Sequence, residues 1–308
     1  MKITFLIPVY NERESLEPLA ERIAEHAAPH EHRILFVDDG STDGSWEVLC
    51  RLHEERDTVD LIRFRRNFGK SAALAAGFSR AEGDYVITMD GDLQDDPKEI
   101  PRFLDKLDEG CDVVVGWKQV RNDPWHKTIP SRVYNALVSR LFGLGLHDVN
   151  CGYKGYRIEV VRNVRVYGGL HRLIPVLATD LGYSVTEIPV EHHPRRYGKS
   201  KYGFERFSRG AMDVLSFYFL SRYRYTPGHF FGKLGLGAVL VGVIGACAAG
   251  VAWAAFGHAL PGIVLGVLSA GLLAGGLTVA AVGLAAELLL RQHPPTDFAP
   301  YIKEERRH

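Results

Sequence analysis

Cysteine is scarce in this chain. Four residues in 308 (Cys50, Cys111, Cys151 and Cys247) are scattered without a CxxC pair, which excludes a disulfide framework and the usual cysteine zinc sites and fits a reducing compartment. Charge imbalance is absent too: Lys+Arg and Asp+Glu both number 37. Global charge therefore points to no partner, and none of nucleic-acid type is expected. The first residues, MKITFLIPVYNERE, lack the charged lead, long apolar core and small-residue cleavage site of a signal peptide, and read as a first β-strand. No internal repeat or low-complexity tract is present. What is most conspicuously missing is charge between Leu234 and Ala286, where no Asp, Glu, Lys or Arg occurs.

That uncharged stretch divides at Gly257–Pro261. Leu234–Phe256 and Pro261–Ala286 are each long enough to cross a hydrocarbon core of roughly 30 Å as a helix. Their Gly and Ala content suits close helix–helix contact in lipid. A buried soluble hairpin is the alternative, and two such runs are hard to place in a chain this short. Arg222, Arg224 and Lys233 precede the first span, and Arg291, Lys303, Arg306 and Arg307 follow the second. The turn between has no Lys or Arg. The positive-inside rule then places both ends, and the whole N-terminal part, in the cytoplasm, as a multi-pass protein of the inner membrane. Residues 203–230, rich in aromatics (Phe204, Phe207, Phe217, Tyr218, Phe219, Tyr223, Tyr225), suit interfacial helices; ordinary packed helices are the alternative.

The first half alternates short apolar runs with helical periodicity. Strands are expected at 3–9, Ile34–Val37, Val59–Phe64, Tyr85–Met89 and Val113–Gly116. Helices are expected at 12–27, Ser45–Glu55, Lys70–Ala81 and Pro97–Glu109. This is the pattern of an α/β domain with a mostly parallel sheet, whose ligand sites lie outside the carboxyl ends of the strands. Polar clusters stand at those ends: Tyr10-Asn11-Glu12, Asp38-Asp39 and Asp90-Gly91-Asp92.

The motif Asp90-Gly91-Asp92-Leu93-Gln94-Asp95-Asp96 puts two carboxylates one residue apart past a buried strand. That suits Mg²⁺ or Mn²⁺, hard ions that take carboxylate and phosphate oxygens, although acidic turns are also common without a metal. Asp38-Asp39-Gly40-Ser41-Thr42-Asp43 offers carboxylates to a base or ribose, or a cap to the next helix, with Asp39 on the ligand and Asp43 on the backbone if both hold. Gly-Lys-Ser at 69–71 and 198–200 is not a Walker A loop, since Phe64 and His193 stand where its first Gly belongs. Lys70 opens a helix and is able to face phosphate. Arg195, Arg196, Lys199 and Lys201 put four cations within seven residues. They read either as attraction to anionic lipid or as a clamp on phosphate.

Taken in order, Pro8-Val9-Tyr10-Asn11-Glu12, Asp38-Asp39-Gly40-Ser41, Arg66-Asn67-Phe68-Gly69-Lys70, Asp90–Asp95 and Arg195–Lys201 resemble the family 2 glycosyltransferases. Within them the chain is similar to the polyprenyl-phosphate group of dolichyl-phosphate mannose synthase, in its bacterial membrane-anchored branch. The resemblance implies a GT-A nucleotide-sugar-binding domain. It places Pro8, Tyr10, Glu12 and Asp39 on the base and ribose, with Lys70 and Asp90 also on the nucleotide. Asp90 and Asp92 would hold Mg²⁺ or Mn²⁺, Asp92 and Gln94 would serve catalysis, and Gln94 would face the sugar. Lys118 and Arg132 would join the four loop cations on the acceptor phosphate. Lys118 replaces the more usual Arg and loses its bidentate fork. Cys151-Gly152-Tyr153-Lys154 replaces Gly-Asp-Phe-Arg or Gly-Ser-Phe-Arg, so Asp148 becomes the nearest substitute for an acid that Gly152 lacks.

The implied reaction is inverting transfer of a hexose, UDP-glucose being the favoured donor, onto an undecaprenyl or dolichyl phosphate. A phosphate monoester has its second pKa near 6, so this nucleophile is largely ionised at neutral pH and a strong base is dispensable. Another sugar or acceptor, or a non-catalytic nucleotide-sugar-binding scaffold, are the competing readings. A processive polysaccharide synthase is disfavoured because no Gln-x-x-Arg-Trp occurs. Membrane lipid is an expected partner, and a homo-oligomer is expected by analogy. The expected division is 1–202 catalytic, 203–232 interfacial, 233–290 a two-helix transmembrane hairpin and 291–308 a cytoplasmic tail.

Overall fold

The structure, a computed structural model, describes residues 1–119, 125–194, 205–223, 226–256 and 260–292. It separates into two compact units, Met1–Val214 and Leu215–His308.

The first unit is a seven-stranded sheet flanked by helices. The elements run β1 (Lys2–Val9), α1 (Leu16–Ala27), β2 (Glu31–Asp38), α2 (Ser45–Glu55), β3 (Val59–Arg63), α3 (Lys70–Phe78), β4 (Tyr85–Thr88), α4 (Ile100–Asp108), β5 (Val113–Lys118), α5 (Trp125–Phe142), β6 (Lys154–Arg157), α6 (Ile158–Asn163), α7 (Ile174–Asp180) and β7 (Val185–Val190). The spatial order is β3-β2-β1-β4-β6-β5-β7. Strand β6 runs antiparallel to β4 and β5, and the other pairings are parallel. This is the mostly parallel α/β sheet that the alternation of apolar runs implies. β1 sits centrally with Ile3, Phe5, Leu6 and Ile7 fully buried, as a strand covered on both faces must be.

Several boundaries differ from the periodicity, and α5, α6 and α7 add to the helices expected from it. Helix α1 begins at Leu16 rather than at residue 12. Asn11 takes a positive φ of 54°, and the Ser15 hydroxyl donates to the Gly91 carbonyl at 2.5 Å, so 12–15 serve as a brace under the acidic motif. Strands β6 and β7 were not foreseen, because Lys154–Arg157 is too short and polar to signal a strand by period.

Register brings the polar ends together. Val9 pairs with Asp38, the Asp39 amide donates to the Val9 carbonyl at 2.8 Å, and Leu6 pairs with Thr88. The turns after β1, β2 and β4 therefore share one edge. Because β6 is antiparallel, its first residue, Lys154, lies opposite Thr88, and the 148–153 turn meets the same edge from the other direction. At Gly40 (φ +73°) a Cβ would stand 2.6–2.8 Å from the backbone of Arg66 and Asn67, so only glycine lets these two loops touch.

The second unit begins within α8 (Glu205–Tyr223), followed by α9 (Pro227–Phe256) and α10 (Leu260–Gln292). The candidate spans are Pro227–Ala255 and Leu260–Leu289. Helix α9 starts seven residues before the uncharged run does, with Pro227 in its first turn, where a missing amide hydrogen is harmless. The hairpin closes on small residues: a Cβ on Gly235 would lie 2.5 Å from the Gly276 carbonyl oxygen, and one on Gly276 2.7 Å from that of Gly235. Glu287 caps the start of α9 by accepting from the Gly228 amide at 3.1 Å. Phe219, Tyr223, Phe230 and Phe231 cluster with ring centroids 5.1–6.2 Å apart. The boundary drawn at residue 202 from sequence lies outside the described residues, as does the tail from 293.

Helix α3 tests the packing. Gly77 lies against β1, and a Cβ there would fall inside the Leu6 side chain. Gly77→Ala is expected to lower stability by about 1–3 kcal/mol through overpacking, against a gain of under ~1 kcal/mol from helix propensity. Thermal unfolding in detergent measures it; an unchanged or raised Tm would show that Leu6 yields.

Candidate active site

Asp90 stands just past β4, its side chain 37% exposed, in contact with the Lys70 ammonium at the start of α3. Burial alone would raise its carboxyl pKa. Lys70, Lys118 and Lys154 more than offset that and hold it well below the usual carboxylate range. Asp92, buried, accepts from the Gln94 amide at 3.1 Å. Asp95, fully buried, pairs with Lys118 at 2.6 Å, and its other oxygen accepts from the Asp90 amide at 3.3 Å. Lys118 is raised above the ordinary lysine value, since Asp95 foremost outweighs its desolvation.

Gly152 faces this group. A Cβ on it would stand 2.8 and 2.9 Å from the two Asp90 carboxylate oxygens. The residue that departs from the family pattern thus leaves room around Asp90. Beneath it, Lys154 is 2% exposed with its ammonium on the Cys151 carbonyl, and burial lowers its pKa to about 8. His171 exchanges a hydrogen bond with the Ser71 hydroxyl at 2.8 Å. Burial first, then Lys70, Arg172 and Lys154, hold it neutral.

On the β1–β2 side, both Asp39 oxygens accept backbone amides, from Phe68 at 2.7 Å and Gly69 at 2.8 Å, so Asp39 fixes the loop that carries Lys70. Burial raises its pKa despite these bonds. Asp43 accepts from Ser45 N at 3.0 Å and Arg13 N at 3.2 Å, the backbone role expected of it. Pro8, Tyr10 and Glu12 are partly exposed along the same edge.

The structure gathers some expected residues and separates others. Asp90, Asp92, Lys70 and Lys118 share the site. Gln94, expected to face the sugar, donates its side-chain amide to the His193 carbonyl at 3.3 Å. Asp148 is 1% exposed and accepts from Asn135 at 3.0 Å, tying α5 to the turn that bears Gly152. Arg132 is exposed on α5. Arg195, Arg196, Lys199 and Lys201 lie outside the described residues. Their approach is nevertheless anchored: His193 N donates to the Gln94 carbonyl at 3.0 Å, Asp95 bridges to His192, and His193 Nε2 meets Asp96 at 2.8 Å. Sequence reasoning missed Lys154, His171 and His193. For Lys154 the Gly-Asp-Phe-Arg comparison held the clue, since a basic residue belongs there; His192-His193 head the basic run but have no metal-ligand partners at a recognisable spacing in the sequence, and for His171 no motif pointed to it.

Two groupings offer metal ligands. Asp96, Glu191 and His193 have ligand atoms within 4.8 Å of one another, but Arg22 holds Asp96 at 2.5 Å and Lys98 holds Glu191 at 2.6 Å. Asp90 is likewise held by Lys70, but Asp90 and Asp92 offer two hard carboxylates with no histidine among them, the donor set that suits Mg²⁺ or Mn²⁺, and Gly152 puts no side chain beside the Asp90 oxygens.

Comparison with known proteins shows the family. Residues 4–165 match the model of glycosyl transferase family 2. The dodecaprenyl-phosphate galacturonate synthase of Rhizobium johnstonii is 36% identical over 311 residues, spanning 97% of this chain and 91% of that protein. The chain belongs to the family 2 glycosyltransferases. It is an enzyme, and the scaffold reading falls away. The fold matches solved glucosyl-3-phosphoglycerate synthase of Mycobacterium tuberculosis. In its complex with Mn²⁺, UDP and phosphoglyceric acid, the TM-score is 0.56 at 18% identity, over 72% of this chain and 78% of that one. In its complex with Mg²⁺ and UDP the TM-score is 0.52 at 18% identity, over 72% and 79%.

Two outcomes follow for the transferase. Gly152→Ala is expected to leave Tm within a few degrees, because the Asp90 carboxylate is able to swing aside, yet to raise the half-saturating Mn²⁺ concentration several-fold in a transfer assay, on the order of 1 kcal/mol of lost ligation. An unchanged metal requirement would disconnect Gly152 from Asp90. Lys154→Met is expected to raise Tm at pH 7, since it removes a charge whose desolvation outweighs what its neighbours return. The folded pKa lies below the unfolded one, so between about 8 and 10.5 the unfolded chain binds more protons and the wild type gains stability as pH rises. The Tm gap between variant and wild type therefore narrows from pH 7 to pH 9.5; a gap independent of pH would contradict the assignment.

Proposed function

We propose that the enzyme transfers a hexuronic acid from a nucleoside diphosphate to a polyprenyl phosphate at the cytoplasmic face of the inner membrane. The observation that carries the acceptor is the 36% identity, over nearly the whole of both chains, with an enzyme named for dodecaprenyl phosphate and galacturonate. It also moves the donor away from UDP-glucose, the sugar favoured on sequence grounds.

Asp90 and Asp92 would hold Mg²⁺ or Mn²⁺, which would stabilise charge on the departing diphosphate. Lys70 lies against Asp90 and is available to the diphosphate once a metal takes that carboxylate. Asp39 fixes the 68–70 loop from which Lys70 springs, and Pro8, Tyr10 and Glu12 border the nucleotide end. Asp92 and Gln94 would order the sugar, with Gln94 linking it to the 191–193 segment. Lys118, Arg132 and the cations Arg195, Arg196, Lys199 and Lys201 would draw the acceptor phosphate against the repulsion of the donor. Because the acceptor is already largely ionised near pH 7, no residue has to take its proton, and Asp148 acts by holding α5 to the Gly152 turn. The apolar hairpin supplies the anchor, and the cations flanking it support a cytoplasmic domain.

The test is a donor screen of the full chain in detergent with undecaprenyl phosphate and Mn²⁺, products identified by mass. UDP-galacturonate is expected to yield a uronosyl phospholipid at a rate at least about tenfold above UDP-glucose, a discrimination of about 1.4 kcal/mol, and Asp92→Asn to abolish it. Equal or faster transfer from UDP-glucose would overturn the uronate assignment; transfer only to water-soluble acceptors would overturn the lipid one.

A further inference from the structure

Helix α5 buries Val138 and Asn135 and leaves three large aliphatic residues exposed on its other side. Facing the domain are Val138, fully buried, and Asn135, 2% exposed, which donates to Asp148 and accepts from the Asn150 amide at 3.3 Å. Facing out are Val133, Leu137 and Leu141, at 63%, 58% and 41% exposure, with Ala136 exposed beside them. A spacing of four puts these residues on one stripe of the helix. Arg132 borders the stripe and Arg140 lies within it near the last turn, both exposed. At that exposure the three large aliphatic residues lie outside the core.

We propose that this face of α5 rests in the headgroup–acyl boundary of the membrane, as a contact separate from the transmembrane hairpin. An apolar stripe carrying arginines is the pattern of a helix lying in that boundary: the aliphatic side chains enter the acyl region, and the guanidinium groups reach lipid phosphates. The same chain carries two helices of membrane length, so a bilayer is always at hand. A second copy of the chain is the competing cover. A stable protein interface takes roughly 800 Å² from each partner, and three aliphatic side chains on one helix fall well short of that. The consequence for the enzyme is positional: docking α5 holds Arg132 at the depth of lipid phosphates. The proposal goes beyond the function proposed above and stands whatever the sugar and acceptor are.

The experiment uses the full chain with Cys50, Cys111 and Cys247 replaced by Ser; Cys151 is buried and stays. An environment-sensitive fluorophore is attached at Val133→Cys, Leu137→Cys or, as a control, Glu54→Cys on the exposed side of α2. The protein is reconstituted into vesicles of phosphatidylethanolamine and phosphatidylglycerol containing lipid spin-labelled on its acyl chain. Quenching at positions 133 and 137 is expected to exceed that at 54 at least about threefold, as burial in the acyl boundary requires, and Leu141→Glu in the same chain is expected to weaken it. Quenching at 133 and 137 no greater than at 54 would overturn the proposal. So would self-quenching that grows with the labelled fraction at constant protein, which would assign the face to a second copy.

Discussion

The proposed catalytic edge turns on one ion pair, Lys70 on Asp90. Lys70 starts α3, and the loop before it is fixed by the two oxygens of Asp39. Asp90 follows β4, and its amide is fixed by Asp95, which in turn holds Lys118. The 148–153 turn closes the ring by presenting a glycine where any side chain would crowd Asp90. A site built this way keeps its charged groups in place, so little reorganisation would be left to the proposed reaction.

Lys154 shows what such a site demands of the fold. A lysine 2% exposed with no carboxylate on it works against stability at neutral pH. It lies beneath the proposed diphosphate site, the pattern expected where function and stability pull apart.

Much of this was legible in the sequence. The parallel α/β core followed from apolar runs that end in Asp or Asn, because a strand buried on both faces leaves little room for polar residues until it emerges. The spans followed from the uncharged 234–286 run, and the Asp90–Asp92 motif from its place after a strand. Contacts made across the sheet were not legible. Strand β6 runs antiparallel and is too short to show a period, so nothing in the sequence placed Gly152 opposite Asp90 or Lys154 below it. The pairing of Gln94–Asp96 with His192-His193 joins residues about a hundred positions apart. Glu287 reads as the charged end of a span, whereas it caps the opposite helix. Helix α5 was not among the helices expected from periodicity, and with Asn135 buried beside Val138 its exposed aliphatic residues gave no amphipathic signal.

The central claim is that Asp90 and Asp92 form the metal site of the donor diphosphate. Mn²⁺ binding to the full chain in detergent, followed by electron paramagnetic resonance with and without UDP, tests it most directly. The account predicts UDP-dependent Mn²⁺ binding that disappears in Asp90→Asn and in Asp92→Asn and persists in Asp96→Asn. Binding that survives both of the first two substitutions, or is lost only in Asp96→Asn, would contradict it.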